Sequence, residues 1–95
     1  MAEQKVALVT GSAGGLGREV GRQLVAAGIH VIISARRPEA AAVAAADIGA
    51  TALSVGLDVS SAESVAAAVR ELEAGPGRLD ILVNNAAAAA TRRGW

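Results

Sequence analysis

Ninety-five residues carry nine basic and nine acidic side chains, one histidine, and no cysteine, phenylalanine or tyrosine. That length allows one small domain burying about 60–65% of its unfolded surface, and the balanced charge argues against a nucleic-acid or anionic-membrane surface. Without cysteine there is no disulfide framework and no thiolate metal site, and a lone histidine does not build a zinc site, so a reducing cytoplasm is the expected setting. Met1-Ala2-Glu3-Gln4-Lys5 includes an acidic residue and precedes an apolar run of only about five residues, far below the ~20 of a membrane span, so neither export nor a membrane is read there.

The first apolar run, Val6 to Thr10, is followed by Gly11-Ser12-Ala13-Gly14-Gly15-Leu16-Gly17 and then a helical pattern. It reads as strand, glycine turn, helix. Helix one is predicted from about Leu16 to Ala27, with Leu16, Val20, Leu24 and Ala27 on one stripe and Gly28 as its stop. Gly21 inside it costs roughly 1 kcal/mol against alanine, which close packing on a sheet would explain. The second run, His30 to Ala35, leads into Arg36-Arg37. Helix two starts at Pro38, a good first-turn residue, and ends near Ile48 before Gly49. The third run, Thr51 to Gly56, precedes Asp58-Val59. Helix three opens on the capping-box pattern Ser60-Ser61-Ala62-Glu63, carries Val65, Val69 and Leu72, and stops at Gly75-Pro76-Gly77. The fourth run, Leu79 to Asn84, has no helix after it.

The first three runs lack strict polar alternation, as parallel strands covered on both faces do. Right-handed crossovers then give an α/β, Rossmann-like parallel sheet of four strands in order 3-2-1-4, with helices one and two on one face and helix three on the other. The switch point lies between strands one and four, where the glycine turn emerges. Ligands in such sheets bind there, and the unpaired N–H groups and positive dipole end of a helix suit a pyrophosphate. Each motif also has a purely structural reading. The glycines could be a helix-entry turn, Arg36 and Arg37 a solvated turn, Asp58 a helix-lead residue, and Asn84 and Asn85 amides that satisfy strand-end backbone. His30 reads as a partly exposed residue at the opposite end of the sheet.

In combination, Thr10-Gly11-x-x-x-Gly15-x-Gly17, Ala35-Arg36, Asp58-Val59 and Asn84-Asn85-Ala86 resemble the motifs of the short-chain dehydrogenase/reductase superfamily. The resemblance implies a nicotinamide dinucleotide as cofactor and partner. It assigns Gly11, Ser12, Ala13, Gly14, Gly15, Leu16 and Gly17 to the pyrophosphate and adenosine ribose, with Leu16 toward the nicotinamide side. Asp58 and Val59 carry over as adenine contacts, Asn85 and Ala86 as ribose contacts, and Asn84 as a tie to the sheet. Where an acidic residue would bond both ribose hydroxyls of NAD, this chain has Ala35 followed by Arg36, a guanidinium suited to a 2′-phosphate. NADP(H) is therefore expected over NAD(H), with Ser12 as a helper to Arg36. A basic residue just before the second motif glycine, another family marker for NADP, is absent because that position is Gly14.

The pattern departs at position 87, an alanine where the family has glycine. The expected organisation is a partial NAD(P)-binding Rossmann domain over residues 1–86 and a disordered non-family tail over 87–95, as a truncation or reading-frame change at or just after Ala86 would produce. The family's catalytic serine, tyrosine and lysine are expected to be missing, which leaves the cofactor-binding portion of an oxidoreductase. A non-catalytic dinucleotide-binding or interaction module and an inactive remnant are the alternatives. Strand four would be an unpaired edge, so self-association or a strand-supplying partner is expected.

Overall fold

The computed structural model describes residues 4–50 and 53–86. Along the chain run β1 (Val6–Val9), α1 (Gly15–Ala26), β2 (His30–Ala35), α2 (Pro38–Ile48), β3 (Leu53–Gly56), α3 (Ala62–Ala74) and β4 (Ile81–Val83). The strands form one parallel sheet in the expected order β3-β2-β1-β4. The tail expected at 87–95, and Thr51 and Ala52 at the start of the third run, lie outside the described residues.

The strands' period of two divides the core into two layers. Val9, Val31, Ile33 and Ala35 face α1 and α2, where they meet Val20, Leu24, Ala41, Ala44, Ala45 and Ile48. Val6, Leu8, Ile32, Val55 and Leu57 face α3 through Ala68 and Leu72. Each fully buried Val or Ile contributes on the order of 1.5–3 kcal/mol. Gly21 lies where a Cβ would come within 3.1 Å of Ile33 Cδ1 and 3.2 Å of Ile48 Cδ1, so its close packing on the sheet is real.

Several features differ from expectation. Helix α1 begins at Gly15 and ends at Ala26, because Ala27 leaves the helix with its N–H still bonded to the Gln23 and Leu24 carbonyls. Leu16 does not join the buried stripe: it is 72% exposed, and in the same turn Gly17 is the residue that turns inward. The cap of α3 falls on Ser61, whose hydroxyl accepts the Ser64 N–H at 3.2 Å, because Ser60 is already committed to the Asp58 carboxylate. Strand β4 is confined to the three residues that run beside Ala7, Leu8 and Val9. Just before it, the Asp80 carboxylate accepts the Val6 N–H at 2.8 Å while the Asp80 N–H donates to the Val6 carbonyl at 2.9 Å.

Strand β4 is one edge of the sheet. Leu82 of β4 is 59% exposed, and Val65 and Val69 of α3 are exposed as well. His30 is half-buried at the start of β2, away from the glycine turn. Among the described residues no helix is long and apolar enough to cross a membrane, and no cluster of His, Asp and Glu could hold a metal ion.

Candidate functional site

The glycine turn leaves β1 after Val9 and enters α1 through Gly14, an extended N-cap that supplies no side-chain hydrogen bond. Helix α3 has a serine cap and Glu63 in its first turn, and α2 has Glu39 there, whereas α1 has no acidic residue in its first turn. Its first N–H groups are therefore left to an external acceptor, the arrangement that binds phosphates. Apart from the adjoining backbone, no atom lies within 4 Å of where a Cβ would stand on Gly14 or Gly15, so the turn is uncrowded there. Gly15 has φ +60, a conformation that side-chain-bearing residues rarely adopt.

Two hydrogen-bond networks hold the turn. On the β2 flank the Ser12 hydroxyl donates to the Val9 carbonyl at 2.7 Å and accepts the Ser34 N–H at 3.0 Å. The Ser12 N–H donates to the Ser34 carbonyl at 2.8 Å, and the Ser34 hydroxyl donates to Val9 at 2.9 Å. On the β4 flank the Thr10 hydroxyl accepts the N–H groups of Asn85 and Ala86, both at 2.9 Å. The Asn85 side-chain amide donates to the Gly11 carbonyl at 3.1 Å. Gly17 allows this closeness: a Cβ there would stand 2.6 Å from both Asn85 Nδ2 and the Gly11 carbonyl oxygen.

These networks give Ser12 a structural part and move one tie. Ser12, expected to help with a 2′-phosphate, is 0% exposed with its N–H and hydroxyl bonded to Val9 and Ser34, so it holds the turn. The side-chain tie between the fourth strand and the turn runs through Asn85, while Asn84 is exposed and makes no side-chain hydrogen bond among the described residues. Ser34 is the residue that sequence reasoning passed over, and Thr10 entered it only as the first residue of the glycine motif. A serine inside an otherwise apolar strand was the available signal, because a buried hydroxyl needs partners.

At the far side of the turn, the Leu57 N–H donates to the Ala35 carbonyl at 2.7 Å and brings the end of β3 beside the end of β2. Arg36 and Asp58 thereby become neighbours. Two hydrogen bonds from Ser60, hydroxyl first and then N–H, hold the Asp58 carboxyl below its ordinary range, with a smaller Coulombic contribution from Arg36. Arg37 pairs with Glu39 at 3.0 Å, whereas Arg36 is exposed and has no ion-pair partner among the described residues. Ala13, next to the turn, lines an open groove of about 380 Å³ with Arg18, Arg37, Glu39, Ala40 and Val43. Gly11 through Gly17, Asn85 and Ala86 thus form one contiguous group, and Arg36 with Asp58 a second at the neighbouring strand ends. Val59 follows Asp58 in the chain and is partly exposed.

The sequence profile described as "short chain dehydrogenase" matches residues 5–94. This chain belongs to the short-chain dehydrogenase family. The family's members are oxidoreductases that use NAD(H) or NADP(H). The match continues past Ala86, through residues that sequence reasoning set apart as a tail. An uncharacterized oxidoreductase, YxjF of Bacillus subtilis, is 46% identical over 86 residues, covering 87% of this chain and 34% of that protein. A sorbitol dehydrogenase of Cereibacter sphaeroides is 46% identical over 83 residues, covering 87% and 32%. Among solved structures, a menthone neomenthol reductase from Mentha piperita superposes with a TM-score of 0.82 at 37% identity, covering 92% of this chain and 33% of that one. The chain therefore spans about a third of the length of the curated relatives it matches.

Proposed function

We propose that this chain is the cofactor-binding portion of a short-chain dehydrogenase that uses NADP(H). The bare N–H groups at the start of α1, with Gly11 and Ala13 to Gly17 around them, receive the pyrophosphate and adenosine ribose, and Leu16 lies toward the nicotinamide side. Asp58 and Val59 take the adenine, and Asn85 and Ala86 the second ribose. The bound dinucleotide supplies or accepts the hydride, and the residues of this chain bind and orient it.

The observation that carries the NADP(H) reading is Arg36: an exposed guanidinium with no ion-pair partner among the described residues, at the tip of β2, where an acidic residue would favour NAD. Arg37 beside it is already paired with Glu39. Titration of the 95-residue chain with NADPH and NADH, followed by nicotinamide fluorescence, tests the assignment. Arg36→Asp is expected to weaken NADPH by more than about tenfold relative to NADH. Equal losses for both cofactors would remove Arg36 from the site.

By itself this tyrosine-free polypeptide is proposed to bind cofactor without turning over a substrate, because general acid–base chemistry needs a positioned donor near the reacting carbonyl. A soluble cytoplasmic setting and pairing of the β4 edge with another strand belong to the same proposal. A non-catalytic binding module is favoured over it if the chain binds the dinucleotide tightly and no longer form of the protein shows turnover.

A further inference from the structure

Two fully buried hydroxyls sit between the phosphate turn and the strand that presents Arg36. The β1–β2 ladder ends with Val9 opposite Ile33, and beyond that point β1 turns away, so the Ser34 N–H has no strand carbonyl to meet. The Ser12 hydroxyl returns from the turn and accepts it at 3.0 Å, while donating to Val9 at 2.7 Å. The Ser34 hydroxyl donates to the same Val9 carbonyl at 2.9 Å, and the Ser12 N–H closes the ring on the Ser34 carbonyl at 2.8 Å. Both serines are 0% exposed. The turn's own side chain thus extends the ladder by one step.

Ser34 precedes Arg36 by two residues, roughly 6–7 Å along an extended strand, and Ala35 between them is buried in the α1–α2 core. Arg36 therefore keeps a fixed spacing from the glycine turn unless buried bonds break. We propose that Ser12 and Ser34 are positioning residues that set this spacing, and with it the preference for a dinucleotide carrying a 2′-phosphate. The inference rests on the NADP(H) reading above. A ligand held at two places, pyrophosphate on the turn and 2′-phosphate on Arg36, gains from the second contact in proportion to how well the spacing is fixed. NADH lacks the 2′-phosphate and is insensitive to the spacing. Neither serine touches the ligand.

The test is the ratio of NADH to NADPH dissociation constants, measured on the full chain and on Ser12→Ala and Ser34→Ala, with thermal unfolding recorded for each. Ser12→Ala removes the acceptor of the Ser34 N–H and is expected to narrow the NADPH preference by about three- to tenfold. Ser34→Ala narrows it less and in the same direction, because Val9 keeps the Ser12 donor. NADH affinity stays within about twofold in both. An unchanged ratio, or equal weakening of both cofactors as a purely structural role would give, overturns the proposal. If Ser12→Ala does not fold, Ser34→Ala decides alone by the same criterion. If the parent chain binds neither dinucleotide or prefers NADH, the functional reading itself fails, and that is visible before any variant is compared.

Discussion

The two flanks of the glycine turn are tied by similar numbers of hydrogen bonds but in different surroundings. On the β2 flank, Ser12 and Ser34 are wholly enclosed and belong to an interior strand pair. On the β4 flank, Thr10 is buried, but the N–H groups it receives come from half-exposed Asn85 and Ala86, just after a three-residue edge strand. The Asn85 N–H also has a second acceptor, the Val83 carbonyl at 3.1 Å. Burial, more than bond count, sets what each tie contributes: an enclosed N–H that loses its partner bears the full desolvation cost, whereas a half-exposed one finds water.

The largest effect that would sharpen this contrast comes from Gly17→Ala, which forces a methyl against the Gly11 carbonyl and the Asn85 amide. With one contact being backbone, the turn must shift, and loss of dinucleotide binding together with about 1–3 kcal/mol of stability is expected, read by titration and urea unfolding. Next is Ser12→Ala, expected to cost about 1–3 kcal/mol because the Ser34 N–H is left enclosed without an acceptor. Thr10→Val is expected to cost less, about 0.5–1.5 kcal/mol; a larger loss than for Ser12→Ala would break the comparison. The same urea midpoints measure both.

The smallest effect is electrostatic. The Asp58 carboxyl has a lowered pKa in the fold, chiefly from the Ser60 hydroxyl and N–H. Its contribution is therefore present above the unfolded-state pKa of about 3.9 and is lost as pH falls through the lower folded value. Asp80, lowered by Arg78 and the Val6 N–H, acts with the same sign at the β4 end. Asp58→Asn should lower stability slightly at neutral pH, where the contribution is present, and flatten the acid limb below about pH 4, where the two profiles converge. A variant whose acid limb matches the parent's would show that the Ser60 bonds do not favour the charged form.

Strand order, helix faces and the place of the turn were legible in the sequence because each follows from local signals: apolar runs, Gly and Pro stops, and the handedness of crossovers. The site was legible only as positions. Which of Asn84 and Asn85 ties the turn depends on where the chain leaves β4, and that end is set by pairing with β1, not by the apolar run Leu79 to Asn84. Ser12 was placed at the ligand only through the family resemblance, and its bond to the Ser34 N–H across the sheet could not be read from one dimension. Ser60 and Ser61 are equivalent as caps in one dimension, and the Asp58 carboxylate decides between them. In each case the competing partner comes from elsewhere in the fold.

The most direct test of the central claim is an amide-resolved NMR titration of the labelled chain with NADP⁺. Shift changes concentrated at Gly14, Gly15, Leu16 and Gly17, extending to Arg36 and Asp58 and sparing the length of α3, are the expected result. No saturable change at the turn, or changes clustered on α3 and β4 instead, would contradict it.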